Sequence, residues 1–131
     1  AASGRRSSIS VYGRDYETPD GTCIRDYIHI HDLCQAHWLA LISLFKGAGS
    51  QRYNLGNGEG FSVQQVIDSA IRITRCNIPV VEAPRRDGDP ARLVADSSLA
   101  RHCLGWKPQF SSLDTMLNHA WNWELKTMQA Q

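Results

Sequence analysis

"RYNLGNGEGFSVQQVIDSAIRITRCNIPVVEAP", residues 52–84, carries the pattern on which the fold turns. "RYNLG" (52–56) predicts a short strand and the glycines after it a turn. Ser62 then stands where a helix N-cap belongs, and Gln65 three residues on completes a capping-box pattern. Val63, Val66, Ile67, Ala70 and Ile71 recur at the spacing of one buried helical face. "IPVVEAP" (78–84) predicts the next strand. Strands that alternate with helices argue for an α/β fold with at least some parallel pairing.

The flanks extend the alternation. "SISVYG" (8–13) reads as a strand, and "RDYETPDGT" as a loop, because Pro-Asp-Gly is strong turn chemistry. "CIRDYIHI" (23–30) reads as extended, with Ile24, either Tyr27 or Ile28, and Ile30 turned inward. Asp32 is the expected N-cap of a helix through "LCQAHWLALISLFKG" that stops at Gly47. That helix is apolar on most faces, so packing on more than one side is expected. "ADSSLARHCLGW" predicts a short helix ended by Gly105, and "SSLDTMLNHAWNWELKTM" a longer final one. On the latter Leu113, Met116, Leu117, Ala120, Trp121 and Glu124 share a face.

The chain has 131 residues, the size of one domain with one core. Its 14 basic and 13 acidic residues are well mixed and sum to +1, so no basic stripe points to nucleic acid. The longest apolar run, inside "HWLALISLF", is too short to span a bilayer. "AASGRRSSIS" has charges without an apolar segment behind them, unlike a secretory start, and Ala1 in place of Met reads as a cut end. Cys23, Cys34, Cys76 and Cys103 are irregularly spaced, which favours reduced thiols and a cytoplasmic setting.

Four groups of residues invite a chemical reading. Gly56, Gly58 and Gly60, with Glu82 ending the next strand, approach a dinucleotide-binding turn. The spacing is G-x-G-x-G, however, and bulky Phe61 stands where the third glycine belongs, so a turn into a capped helix is the better reading. His29, His31, Cys34 and His37 resemble zinc ligands, but a spacing of three drifts around a helix, and His29 and His31 would leave an extended segment on opposite sides. No G-x-S-x-G elbow supports nucleophilic catalysis. "APRRDGDPARL" (83–93) is the stronger candidate. Arg85 and Arg86 offer planar, two-pronged donation suited to phosphate, and Gly88 lets the backbone turn so that Asp89 faces the same space. Arg25 in "CIRDY" is a second cation, and the alternative is that these are loop charges paired with Asp87 and Asp26.

"TPDGTCIRDYIHIHDL" (18–33), "YNLGNGEGFSVQQVI" (53–67) and "APRRDGDPARLVADSSLARHCLGWKPQFSSL" (83–113) together resemble the UDP-glucose 4-epimerase family. That family lies within the NAD-dependent epimerase/dehydratase group of the extended short-chain dehydrogenase/reductase superfamily. The resemblance covers the family's C-terminal part and implies the substrate-binding portion of a Rossmann-like α/β fold, with a few short strands and about four helices. The family's G-x-x-G-x-x-G loop for NAD and its Tyr-x-x-x-Lys pair are not in this sequence; the residues four beyond Tyr12, Tyr16, Tyr27 and Tyr53 are Tyr16, Asp20, His31 and Asn57. "GNGEG" matches a late family loop that does not hold the dinucleotide.

The same resemblance implies roles residue by residue. Arg86 and Arg25 contact the UDP diphosphate, Asp89 holds the ribose hydroxyls, and Ser10, Val11 and Tyr12 lie along the uracil. Leu93 lines the substrate pocket at a position that leaves N-acetylated sugars open. In the family NAD+ takes hydride from sugar C4 while the Tyr takes the hydroxyl proton, and the turned keto-sugar receives hydride back. Firm binding of the unreacting UDP retains that intermediate. The implied activity is interconversion of UDP-glucose and UDP-galactose in galactose metabolism, by a full-length homodimer that binds NAD through its N-terminal part. The segment alone is expected to be inactive, with no catalytic, cofactor-binding or metal-binding residue of its own. The alternatives are a 4-epimerase of UDP-N-acetylglucosamine or a UDP-pentose, and a non-catalytic nucleotide-binding module.

Overall fold

The computed structural model describes residues 1–130. In chain order the elements are β1 (Ile9–Tyr12), β2 (Ile24–Arg25), α1 (Ile30–Phe45), β3 (Phe61–Ser62), α2 (Val63–Thr74), β4 (Val80–Ala83), β5 (Arg92–Leu93), α3 (Ser98–Leu104) and α4 (Leu113–Gln129). The expected parallel pairing occurs twice. β1 runs parallel to β4 with Ile9 opposite Val80 and Tyr12 opposite Ala83, and β2 runs parallel to β5 with Arg25 opposite Leu93. β3 adds to β2 antiparallel, so two small sheets form, β1–β4 and β3–β2–β5. This is the α/β arrangement of short strands and four helices that the sequence implied.

α2 begins as its sequence dictates. Ser62 Oγ accepts from the Gln65 amide at 3.0 Å, and Gln65 Oε1 accepts from the Ser62 amide at 2.8 Å. Each satisfies a donor that the first helical turn leaves orphaned. Asp20 ties this start to the preceding turn: its carboxylate accepts from the Thr22 amide at 2.9 Å and from the Ser62 hydroxyl.

The core centres on Trp106, buried between Ala36 of α1 and Ala100 of α3, with Ile28, Leu39, Tyr53, Leu55 and Leu104 around it. Small residues on both helices leave room for the indole. Its N–H, which must find a partner when buried, donates to the Asp32 carbonyl at 2.9 Å. The Asp32 carboxylate accepts from the amides of Gln109 and Phe110 at 3.0 and 2.9 Å. Burial disfavours its charge, but those two backbone donors, together with the His31 side chain and the His29 charge, outweigh burial and hold the carboxyl below its ordinary value.

Several local expectations are corrected. Asp32 is not the N-cap of α1. The helix starts three residues earlier than expected, capped by His29, whose ring accepts from the His31 amide, because the Asp32 carboxylate is committed to the α3–α4 connection. Ile30 is therefore helical and 67% exposed rather than buried. Helix α1 is covered on one side only; Trp38, Leu41, Leu44 and Phe45 face outward, Phe45 at 82% exposure. "RYNLG" forms no strand, since no strand pairs with it among the described residues, although Tyr53 and Leu55 pack on the core. The extended piece at 23–30 shortens to Ile24–Arg25. Ile71 lies off the buried face of α2, where Ile67 and Ser69 are buried instead. All four cysteines are unpaired, and no described helix is long and apolar enough to cross a membrane.

Candidate functional site

The parallel register of β1 and β4 sets one half of the site. Tyr12 closes β1 opposite Ala83, which closes β4, and the Gly13 amide donates to the Ala83 carbonyl at 2.9 Å. The chain leaving β4 therefore emerges beside Tyr12. Three residues on, the Arg86 guanidinium lies 3.8 Å above the centroid of the Tyr12 ring. The Arg86 guanidinium, through hydrogen bonding and then charge, and after it the Ser10 side chain, lower the Tyr12 phenol from its ordinary value. Arg86 is exposed and has no ion-pair partner among the described residues.

Val11 alternates inward and is buried, while Ser10 and Tyr12 are exposed. Only one edge of β1 is paired; among the described residues no strand occupies the other. A cleft of about 390 Å³ adjoins β1, lined by Arg6, Ser8, Ile9, Ser10, Tyr12 and Arg86 together with Ala1.

A tight turn links this half to the other. The Asp89 amide donates to the Arg86 carbonyl at 3.2 Å, and Gly88 at the third position has φ +75°. That is the geometry of a type II turn, which demands a positive φ there and so selects glycine. The turn draws Arg86 and Asp89 to the same place, and the Asp89 carboxylate pairs with the Arg25 guanidinium. Arg25 also donates to the Ile24 carbonyl at 2.6 Å, while β2 and β5 set its backbone opposite Leu93, which is 60% exposed. Arg86, Asp89 and Arg25 thus follow one another across a single turn, although the 390 Å³ cleft is lined by Arg86 and not by Arg25.

Arg85 does not share this setting. It pairs with Asp15 at 2.7 Å and lies 4.1 Å over the Tyr16 ring, so its charge is already matched. The suggested loop pairings with Asp87 and Asp26 do not form either. Asp26 instead accepts from the amides of Asn57 at 2.7 Å, Gly58 at 3.3 Å and Ala95 at 3.0 Å. This also explains Gly56: a Cβ there would lie 2.8 Å from Asp26 Cγ and 2.9 Å from Ala95 Cβ. The amides of Asn57 and Gly58, which a dinucleotide-binding turn would aim at a pyrophosphate, are bonded to an internal carboxylate, and the residues of "GNGEG" do not fit a dinucleotide.

The histidine and cysteine group is not brought together as one ligand set. His29 meets His119 of α4 at 3.0 Å, His37 Nδ1 lies 2.8 Å from the Leu33 carbonyl, and Cys34 is exposed. Nor do His29 and His31 diverge from an extended strand; they sit in a helical turn with ring centroids 6.4 Å apart. Sequence reading missed Asp26 as organiser of the glycine loop and Arg6 as a second cation of the cleft. The arginine pair just before β1 was the available signal for Arg6; nothing local marks Asp26.

A family model described as GDP-mannose 4,6 dehydratase matches residues 11–119. A curated UDP-glucose 4-epimerase of Halalkalibacterium halodurans is 52% identical over 93% of this chain and 36% of its own length. A solved UDP-glucose 4-epimerase is 54% identical with a TM-score of 0.89, over 95% of this chain and 38% of its own. Another, from Stenotrophomonas maltophila, was solved with NAD and formylated UDP-arabinopyranose; it is 42% identical with a TM-score of 0.89 over 99% of this chain and 38% of its own. The chain thus spans little more than a third of the length of the relatives it matches.

Proposed function

This chain belongs to the GDP-mannose 4,6 dehydratase family, and from that premise we propose that it anchors the uridine diphosphate of a UDP-sugar in a UDP-glucose 4-epimerase. The observation that carries the reading is the Arg86–Asp89 turn, which stations an unpaired guanidinium over Tyr12 and hands Asp89 to Arg25. Arg86 and Arg25 take the diphosphate oxygens, to which a guanidinium donates two parallel bonds. The free edge of β1 at Ser10–Tyr12 takes the uracil, with backbone groups for its polar rim and the Tyr12 ring beside it. Asp89 keeps acceptor sites beyond those used by Arg25 and takes the ribose hydroxyls. Leu93, exposed beside Arg25 in the β2–β5 pair, faces the sugar.

Residues 1–131 are, on this reading, the C-terminal UDP-sugar-binding part of the full-length protein. The exposed apolar side chains of α1 and the unpaired segment 52–56 support a further part that covers them. NAD, present in the Stenotrophomonas relative, is assigned to that further part, as is the Tyr-x-x-x-Lys pair. The chain's own contribution is remote binding: energy from the diphosphate retains a sugar that must be free to turn. Assembly as a homodimer rests on the resemblance alone.

The test is turnover. The full-length protein interconverts UDP-glucose and UDP-galactose, whereas residues 1–131 with added NAD+ do not. Conversion by the isolated segment, or none by the full-length protein, would overturn the reading.

A further inference from the structure

His29 and His119 meet where the start of α1 faces α4, and both ring nitrogens of His29 are committed. Its Nδ1 accepts from the His31 amide at 3.0 Å, the bond that caps α1. An accepting nitrogen carries no proton, so neutral His29 holds its proton on Nε2. That Nε2 lies 3.0 Å from His119 Nδ1, which must accept and keep its own proton on Nε2. Phe110 packs against both rings, at centroid distances of 4.6 and 5.4 Å, and His29 is buried.

We propose that this pair is an acid-sensitive clasp between α1 and α4, in which one added proton breaks either the cap or the cross-helix bond. The three arrangements can be enumerated. A proton on His29 Nδ1 preserves the bond to His119 but removes the acceptor that caps the helix. A proton on His119 Nδ1 sets two N–H groups against each other. Moving the His29 proton to Nδ1 lets charged His119 donate back across the pair, and again the cap is lost. No singly protonated state keeps both.

The surroundings act in the same sense. The ionisable groups facing His29 are His31 and Asp32 from its own helix and His119 from α4, while Tyr27 lines the adjoining cleft of about 740 Å³. The other residues around the cleft, Val66, Met116, Leu117 and Phe110 among them, carry no charge. Burial, and then His119, disfavour charge on His29; Asp32 favours it, and His31 again opposes it, with the net effect downward. Between the ordinary histidine value near pH 6.5 and this lower one, the unfolded chain binds a proton that the folded chain does not. Stability is therefore full above that ordinary value and falls as pH drops below it.

The test uses the full-length protein. Nitrogen-resolved NMR of the imidazoles at about pH 8 should find His29 as the Nε2–H tautomer, and on acidification His29 should titrate below the ordinary histidine value. The double variant His29→Asn, His119→Gln keeps a cap acceptor and a cross-helix acceptor and titrates at neither. From about pH 7.5 to pH 5.5, the wild-type unfolding constant in urea should rise about fivefold more than the variant's, the size of one net hydrogen bond. An Nδ1–H tautomer, titration of His29 at or above the ordinary histidine value, or an undiminished acid response in the double variant would each overturn the clasp. The NMR result decides even where the variant does not fold.

Discussion

Arg86→Ala in the full-length protein isolates the central claim about the site. Arg85 and Arg25 are each matched by a carboxylate, Asp15 and Asp89, whereas Arg86 rests on the Tyr12 ring with no ion-pair partner among the described residues. Of these three arginines, it is thus the one whose charge is available to a ligand without first breaking a pair. A hydrogen bond to a charged group contributes about 1.5–3 kcal/mol, so truncation should weaken UDP binding by about 10- to 150-fold. Isothermal titration with UDP at two ionic strengths reads this directly. Wild-type affinity should fall with salt, and that of the Ala variant should fall less, because an exposed attraction is screened. Arg86→Lys should land between them, keeping the charge but losing the planar fork. The thermal midpoint without ligand should stay near wild type, since no buried contact is lost. Undiminished UDP affinity in the Ala variant would refute the assignment, even with the turn intact.

Two further outcomes test the scaffold. Gly56→Ala drives a methyl group into the Asp26 carboxylate that collects three backbone amides; the urea midpoint should drop by the equivalent of at least about 2–3 kcal/mol, and an unchanged midpoint contradicts the packing. Asp32 is held below its ordinary value, so the stability it contributes is present above about pH 4 and is lost as pH falls through the lower folded value. Asp32→Asn sets an amide against two backbone donors; it should cost about 2–4 kcal/mol near neutrality and flatten the acid limb, and an unaltered pH–stability curve rules that out.

The sequence by itself determined whatever depends on near neighbours. The capping box of Ser62 and Gln65, the stop at Gly105 and the turn at Gly88 follow from bonds closed within three or four residues, or from a φ that only glycine takes readily. The motif blocks singled out Arg25, Arg86 and Asp89, and the turn at Gly88 with the Arg25–Asp89 pair sets these three in succession. Tertiary structure decided the partners across long separations. Asp32 had the right chemistry for an N-cap, but the amides of Gln109 and Phe110, far along the chain, claim its carboxylate, and the cap passes to His29. "RYNLG" has strand composition, yet a strand exists only where another edge supplies its hydrogen bonds. Which arginine stays free was also undecidable locally, because Arg85 and Arg86 are adjacent and alike. Only the parallel register of β1 and β4 turns one toward Asp15 and the other over Tyr12.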